Sequence, residues 1–298
     1  MGSKRQRYAS FMQTALEEAR ASLRGGNKGF GAVLVRDGKV LGKAHDTVAE
    51  DSDPTSHAEM NLVREGCRKL GKDLTGCVIV STHEPCPMCT SAMIWARVSE
   101  VAYGARIVDS KREGRTMIEL GCQEIVERSP WGLKVTEGVL KQECSLLYDD
   151  EVRRLVKAFR AAGGAALEGM GRALLEKRIA WFKEDEDTIR EELSGTDVEK
   201  AYQLLLMKLG IDEDEAPIVS KSDERIVFHS RNFCPALEAC KILGLDTAEV
   251  CRKHTEKATE GLIRMINPRL VFRRDYERLR PRSPFCEEII ALGQSARR

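Results

Sequence analysis

Four residues carry the chemistry this sequence offers. His57 and Glu59 stand in "SDPTSHAEMNLV", and Cys86 and Cys89 in "HEPCPMCTSAM". A His and a Glu two positions apart, where a helix begins, have a plain reading: an acid suits a helix N-terminus and the His is a surface residue. Cys-x-x-Cys has its own alternatives, a redox pair or half of a structural zinc site. Two thiolates one turn apart can also face a single metal, and a helix N-terminus helps to keep them ionised. With His57 they supply three ligands rather than four. Three protein ligands and one open position are the pattern of a catalytic zinc (Zn2+), whose bound water is acidified towards a pKa of about 7. Glu59 then acquires a task, because a carboxylate beside that water can take its proton and deliver it elsewhere.

Elements must position these residues, and the hydropathy pattern supplies them. "YASFMQTALEEARASLR" repeats Tyr8, Phe11, Met12, Ala15, Leu16, Ala19 and Leu23 at helical spacing. "GAVLVR" and "VLGKAHD" flank Asp37-Gly38-Lys39, a hairpin signal. His57 to Leu70 reads as a helix, with Asp53-Pro54-Thr55 before it and Gly71 after it. "CVIVST" reads as a buried strand, and "PCPMCTSAMIWAR" as a helix with Pro85 near its first turn. "EVAYGA" and "LKVTEG" read as further strands, and "VLKQECSLLYDDEVRRLVKAF" as one long closing helix. Strands alternating with helices predict an α/β sandwich with a partly parallel sheet.

At 298 residues the chain has room for two domains, each with its own core. The small-residue stretch Ala161 to Ala166 reads as the linker, giving a first domain over 1–160 and a second over 167–298. Charge is almost balanced, 48 Lys and Arg against 47 Asp and Glu. That argues against a globally basic nucleic-acid binder, though not against a local patch. No apolar run approaches the roughly 20 residues that span a membrane. "MGSKRQRYAS" lacks the apolar stretch of a signal peptide, and Gln6 stands where a myristoylation signal wants Ser or Thr. Ten cysteines are too sparse for a disulfide scaffold, so reduced thiols or metal ligands in a cytoplasmic protein are expected.

The ordered combination H-x-E … P-C-x-x-C is the signature of zinc deaminases. Residues 28 to about 148 resemble the cytidine deaminase superfamily, and most of all its branch of guanine deaminases, fungal-type cytosine deaminases and bacterial tRNA adenosine deaminases. "GFGAVLVRDGKVL", "DPTSHAEMNLVR", "STHEPCPMCTSAMIWARV", "VAYGAR" and "VTEGVLKQECSLL" carry the resemblance. "GFGAVLV" and "MIWARVSEVAYGA" lean towards guanine deaminase, whereas "VTEGVLKQECSLL" is also similar to the tRNA enzymes. The resemblance implies a three-layer α-β-α sandwich around a mixed five-stranded sheet, followed here by a second α+β domain. It implies zinc on His57, Cys86 and Cys89, and Glu59 as the carrier of protons to the ring nitrogen and to departing ammonia. It also implies that the backbone of Ala58 faces the substrate, that Phe30 lies against the bound ring, that Trp95 stands near the pocket, and that the protein is a homodimer.

Asp46, in "AHDTV", departs from the family's usual Asn. Asn donates and accepts, whereas an ionised Asp only accepts. Asp46 therefore favours a substrate that presents N–H groups, such as the guanidine-like edge of guanine; the alternative is a turn residue whose neighbour reads the base. His45 and His83, which flank the motifs, read as local hydrogen-bonding residues rather than a fourth ligand. Hydrolytic deamination of a free nucleobase or related amino-heterocycle is the leading expectation. An RNA-directed deaminase, with the second half as its docking module, is the second. A regulatory protein that kept the fold is the third, and intact His57, Glu59, Cys86 and Cys89 argue against it.

The second half resembles, more weakly, the L-2-amino-thiazoline-4-carboxylic acid hydrolase-like domains, through "NFCPALEACKILGL", "VCRKH", "NPRLVFRRDYERLRP" and "FCEE". Its Cys234, Cys240, Cys251 and Cys286, with His229 and His254, match the spacing of no common zinc module. Packed thiols are expected, a metal site and a catalytic thiol being the alternatives. Arg264 to Arg282 holds seven arginines, Arg264, Arg269, Arg273, Arg274, Arg278, Arg280 and Arg282. They read as a solvated or salt-bridged strand edge rather than a surface for an anionic partner.

Overall fold

In a computed structural model of the chain, which describes residues 4–110, 118, 120–162 and 164–293, Asp37 and Gly38 both take positive φ, 51° and 73°. Two such residues in succession make the tight turn whose twist matches a hairpin. They join β1 (Gly31–Arg36) to β2 (Lys39–His45) in antiparallel register, Val35 opposite Val40. The chain divides into two compact units, Met1–Lys157 and Ala158–Arg298.

The first unit begins with α1 (Lys4–Gly25), whose Tyr8, Met12, Ala15, Leu16, Ala19 and Leu23 form the buried stripe that the spacing predicts. After the hairpin come α2 (Val48–Asp51), α3 (Ala58–Leu70), β3 (Cys77–His83), α4 (Pro87–Trp95) and β4 (Glu100–Ala105). A 3-10 turn (Ile107–Ser110), α5 (Cys122–Glu127), β5 (Lys134–Glu137) and α6 (Lys141–Leu146) follow. The division between the units falls within α7 (Asp150–Ala161). The sheet runs β2-β1-β3-β4-β5; β1 is antiparallel to β2 and β3, while β3, β4 and β5 are parallel.

Alternation along β1 builds the layers. Ala32 and Leu34 pack into a core with Leu62 of α3 and Met93 of α4. Gly31 points the other way, where a Cβ would lie 2.2 Å from the Ala15 carbonyl, so only glycine lets α1 come this close. The result is the expected α-β-α sandwich on a mixed five-stranded sheet.

Two local expectations change. Pro87, not Pro85, is the first residue of α4. The single closing helix is broken between α6 and α7: the Val152 amide donates to Asp149 Oδ1 at 2.9 Å, and Arg153 Nε to the Leu147 carbonyl at 2.8 Å, starting a new helix inside an unbroken apolar pattern.

The second unit contains α8 (Gly164–Glu184), α9 (Glu186–Glu192), α10 (Asp197–Leu209), β6 (Ile218–Ser222), β7 (Arg225–Ser230), α11 (Pro235–Leu243), α12 (Thr247–Val250), a π turn (Cys251–Glu256), α13 (Lys257–Ile263), β8 (Leu270–Arg274) and β9 (Cys286–Leu292). Its antiparallel sheet, ordered β6-β7-β9-β8, packs Ile226, Phe228, Phe272 and Ile290 against Phe182, Leu204 and Leu262 of the helices, an α+β arrangement. Most of the small-residue stretch read as a linker is helical, because alanine favours a helix; Ala161 ends α7 and Gly164 opens α8, while Gly163 lies outside the described residues. Among the described residues no helix is long and apolar enough to cross a membrane.

Candidate metal centre and active site

His57 is the N-cap of α3 and Cys86 the N-cap of α4, and neither side chain turns back to cap its own helix. Both are therefore free to face each other. Cys89 sits in the first turn of α4, buried. His57 Nδ1 lies 3.6 Å from each Sγ, and the two Sγ atoms are 3.6 Å apart. Tetrahedral zinc, with Zn–S of about 2.3 Å and Zn–N of about 2.0–2.1 Å, would separate such donors by roughly 3.6–3.8 Å. One nitrogen and two sulfurs at this spacing fit zinc. Among the described residues this is the one group of three or more His, Cys, Asp or Glu that could hold a metal ion.

The electrostatics suit a cation. A hydrogen bond from Cys89, helped by His57 against burial, holds the Cys86 thiol down at about 4. Donating that bond, and burial, push the Cys89 thiol well up. The hydrogen bond with Cys86 raises the His57 ring against the effect of burial.

Glu59 is in the first turn of α3 and 5 % exposed. Burial pushes its carboxyl up, opposed by a hydrogen bond from Ser81 Oγ to Oε1 at 2.7 Å. Its carboxylate is also within hydrogen-bonding reach of Cys89. A proton-accepting group thus sits beside the three donors, aimed by a buried hydroxyl of β3. Ala58, the first residue of α3, is fully buried, and its amide lies where a helix has no internal acceptor for it.

Phe30 precedes β1 and packs in a ring cluster, stacked on Tyr148 at 5.4 Å and edge-on to His83 at 5.3 Å. The Tyr148 hydroxyl donates to the Gly29 carbonyl at 3.2 Å and shares a hydrogen bond with Thr82. His83 Nδ1 faces the Glu84 carbonyl, and His45 Nδ1 pairs with Glu18, so both act locally.

Asp46 and Trp95 were the other two residues expected near the substrate. Asp46 is 1 % exposed, and its carboxylate accepts the Ser22 hydroxyl and the Lys28 and Phe30 amides, both at 2.9 Å. It clasps the 28–30 loop, with three of its roughly four acceptor positions taken by its own chain. Trp95 is 86 % exposed at the last residue of α4, roughly 13 Å along the helix axis from Cys86. It borders a surface depression with Ile94, Arg97, Arg128 and Trp131 rather than the metal group.

Three residues were missed in the sequence. Ser81 aims Glu59. Tyr148 braces Phe30. Glu84, 9 % exposed, accepts the Ile107 and Cys122 amides at 2.9 Å on its two oxygens, tying the start of the segment after β4 to its end. A lone acid in the otherwise uncharged stretch "CVIVSTHEPCPMC" was the available signal for Glu84. Ser81 and Tyr148 act across long sequence separations and leave none.

Residues 5–105 match the family model of the cytidine and deoxycytidylate deaminase zinc-binding region. The tRNA-specific adenosine deaminase of Aquifex aeolicus is 41% identical over 105 residues, covering 35% of this chain and 68% of the relative. The guanine deaminase of Bacillus subtilis is 37% identical over 109 residues, covering 36% and 70%. The tRNA-specific adenosine deaminase of Bacillus subtilis is 35% identical over 153 residues, covering 51% and 92%.

Proposed function

Because the chain belongs to the cytidine deaminase superfamily, whose members here are zinc-dependent hydrolytic deaminases, we propose that it deaminates a free nucleobase or related amino-heterocycle, with guanine-like rings favoured. We assign the zinc to His57, Cys86 and Cys89, and the proton transfers to Glu59. Bound zinc supplies activation of a water molecule near neutral pH.

The chain's own residues do the rest. Glu59 would accept a proton from the attacking water and pass it to the ring nitrogen beside the carbon that bears the amine; it would then take a second proton, from the hydroxyl added to that carbon, and deliver it to the departing ammonia. Ser81 fixes the carboxylate so that both transfers start from one geometry. The Ala58 amide donates to the substrate, and Phe30, braced by Tyr148 and His83, lies against the ring. Asp46 acts through the loop that presents Phe30 rather than by touching substrate. The observation that carries this assignment is the buried Glu59 carboxylate within reach of Cys89 and aimed by Ser81.

Balanced charge, 48 basic against 47 acidic residues, supports a small neutral substrate. A second reading, deamination of adenosine in tRNA, is favoured by the relative that aligns over 92% of its own length. Ammonia release from guanine, cytosine and tRNA across a salt series separates them. Activity on RNA would fall steeply with salt, close to one log–log unit for each phosphate contact, whereas activity on a free base would not. We further propose a cytoplasmic homodimer. Ten unpaired cysteines support a reducing compartment, and the exposed Trp95 supports a face covered by a second copy.

A further inference from the structure

In the second unit, Arg274 at the end of β8 and Glu288 on β9 form a buried pair, Nε to Oε1 at 2.7 Å, each side chain 10% exposed. Ser230 Oγ donates to the other Glu288 oxygen at 2.7 Å, so that carboxylate is engaged at both ends. Arg274 Nη1 donates to Thr255 Oγ1 in the π turn at 2.8 Å. A second guanidinium, Arg178 of α8, bonds Thr259, one helical turn from Thr255, and the Thr259 hydroxyl donates to the Thr255 carbonyl at 2.9 Å, so the two arginines bond neighbouring threonines. The Arg178 hydrogen bond is from Nη1 to Thr259 Oγ1 at 2.7 Å, and among the described residues no carboxylate pairs with Arg178. Lys208 of α10 also feels Arg178, sits over the Trp181 ring at 4.2 Å, and likewise pairs with no described carboxylate.

Two guanidinium groups thus stand near one carboxylate that is already committed to Arg274 and Ser230, with Lys208 beside Arg178. Burial, with the charge of Arg274, pulls the Arg178 guanidinium down to about 10, and burial lowers Lys208 too. Arg178 and Lys208 are half-buried, and a partly desolvated cation is favoured by an anionic partner. A guanidinium offers five donors in a fork that fits the oxygens of carboxylate or phosphate, and Arg178 has spent one of its five within the chain. Thr255, the partner of Arg274, lies in a π turn, a form often found at functional sites, and Thr259, the partner of Arg178, lies in α13 that continues from it. Cys234, at the N-cap of α11, and Cys251, in the π turn, lie within electrostatic reach of Arg274.

We propose that the second unit holds a binding site for a small oxyanion, a phosphate or carboxylate group, received by Arg178 and Arg274 with Lys208 on the Arg178 side. The proposed site is built from residues of the second unit and does not depend on the deaminase assignment.

The test uses the zinc-loaded full chain at fixed ionic strength, with inorganic phosphate in one arm and malonate in the other. Calorimetric titration should find one saturable site per chain. Thermal stability should rise with concentration, reaching about a 100-fold gain in the folding constant at 100 times Kd. A response to phosphate alone, or to malonate alone, identifies the group. In Arg178→Met the response should vanish, while stability without anion stays at or above that of the parent. Arg178→Lys keeps the charge but loses the fork, so it should retain the response with Kd raised about tenfold. No saturable response in either arm, or one that survives Arg178→Met, overturns the proposal.

Discussion

The Ser81 hydroxyl donates to Glu59 Oε1 at 2.7 Å, with both side chains buried, one on the central strand β3 and the other in the first turn of α3. This bond sets where the acid of the H-x-E motif points. A buried hydrogen bond to a charged group is worth about 1.5–3 kcal/mol. Ser81→Ala should therefore lower kcat roughly ten- to a hundredfold while one zinc per chain is retained, as read by metal analysis beside steady-state kinetics. Unchanged kcat would remove Ser81 from the account.

Asp46 should behave as a structural clasp. Asp46→Ala removes the acceptor of three donors, the buried Ser22 hydroxyl and the part-buried Lys28 and Phe30 amides. Stability should fall by on the order of 3 kcal/mol, seen as a lower Tm, with Asp46→Asn between the two. A variant of full stability that has lost substrate affinity would instead make Asp46 a substrate-reading residue.

Zinc and turnover should be lost together. Cys86→Ala removes one of three donors that lie 3.6 Å apart, so the variant should purify without zinc and without activity. A chelator should do the same to the parent, and added zinc should restore only the parent. Full zinc occupancy in Cys86→Ala would exclude this ligand set.

Trp95 should matter to assembly rather than to the reaction. Trp95→Glu places a charge on the exposed end of α4, beside Ile94 and Trp131. Sedimentation should find a dimer for the parent and a monomer for the variant. A dimer that tolerates the change puts the contact elsewhere.

Legibility followed sequence distance. His57, Cys86 and Cys89 could be read because each pair of partners is announced by short-range spacing at the start of a helix, and α3 and α4 begin where those signals fall. The hairpin at Asp37-Gly38 and the five strands of the first unit were legible for the same reason. The role of Asp46 was not, because Ser22 meets it from α1 across 24 positions. Nor was the break after Leu146, since the apolar period continues through it and only the Asp149 cap interrupts the helix. The arginines of Arg264 to Arg282 illustrate the same limit. Arg264 pairs with Glu260, Arg278 with Glu287 and Arg274 with buried Glu288. No alternation of polar and apolar residues could have told the buried one from the surface ones.

The most direct test of the central claim is ammonia release by the zinc-loaded chain and by Glu59→Gln, on guanine and on tRNA, from low to high salt. The parent should release ammonia from the free base at a rate indifferent to salt. Glu59→Gln should keep its zinc and lose roughly 10²–10⁴-fold in rate, the scale of general acid–base catalysis. Undiminished release by Glu59→Gln, or release from tRNA alone that collapses as salt rises, would contradict the account.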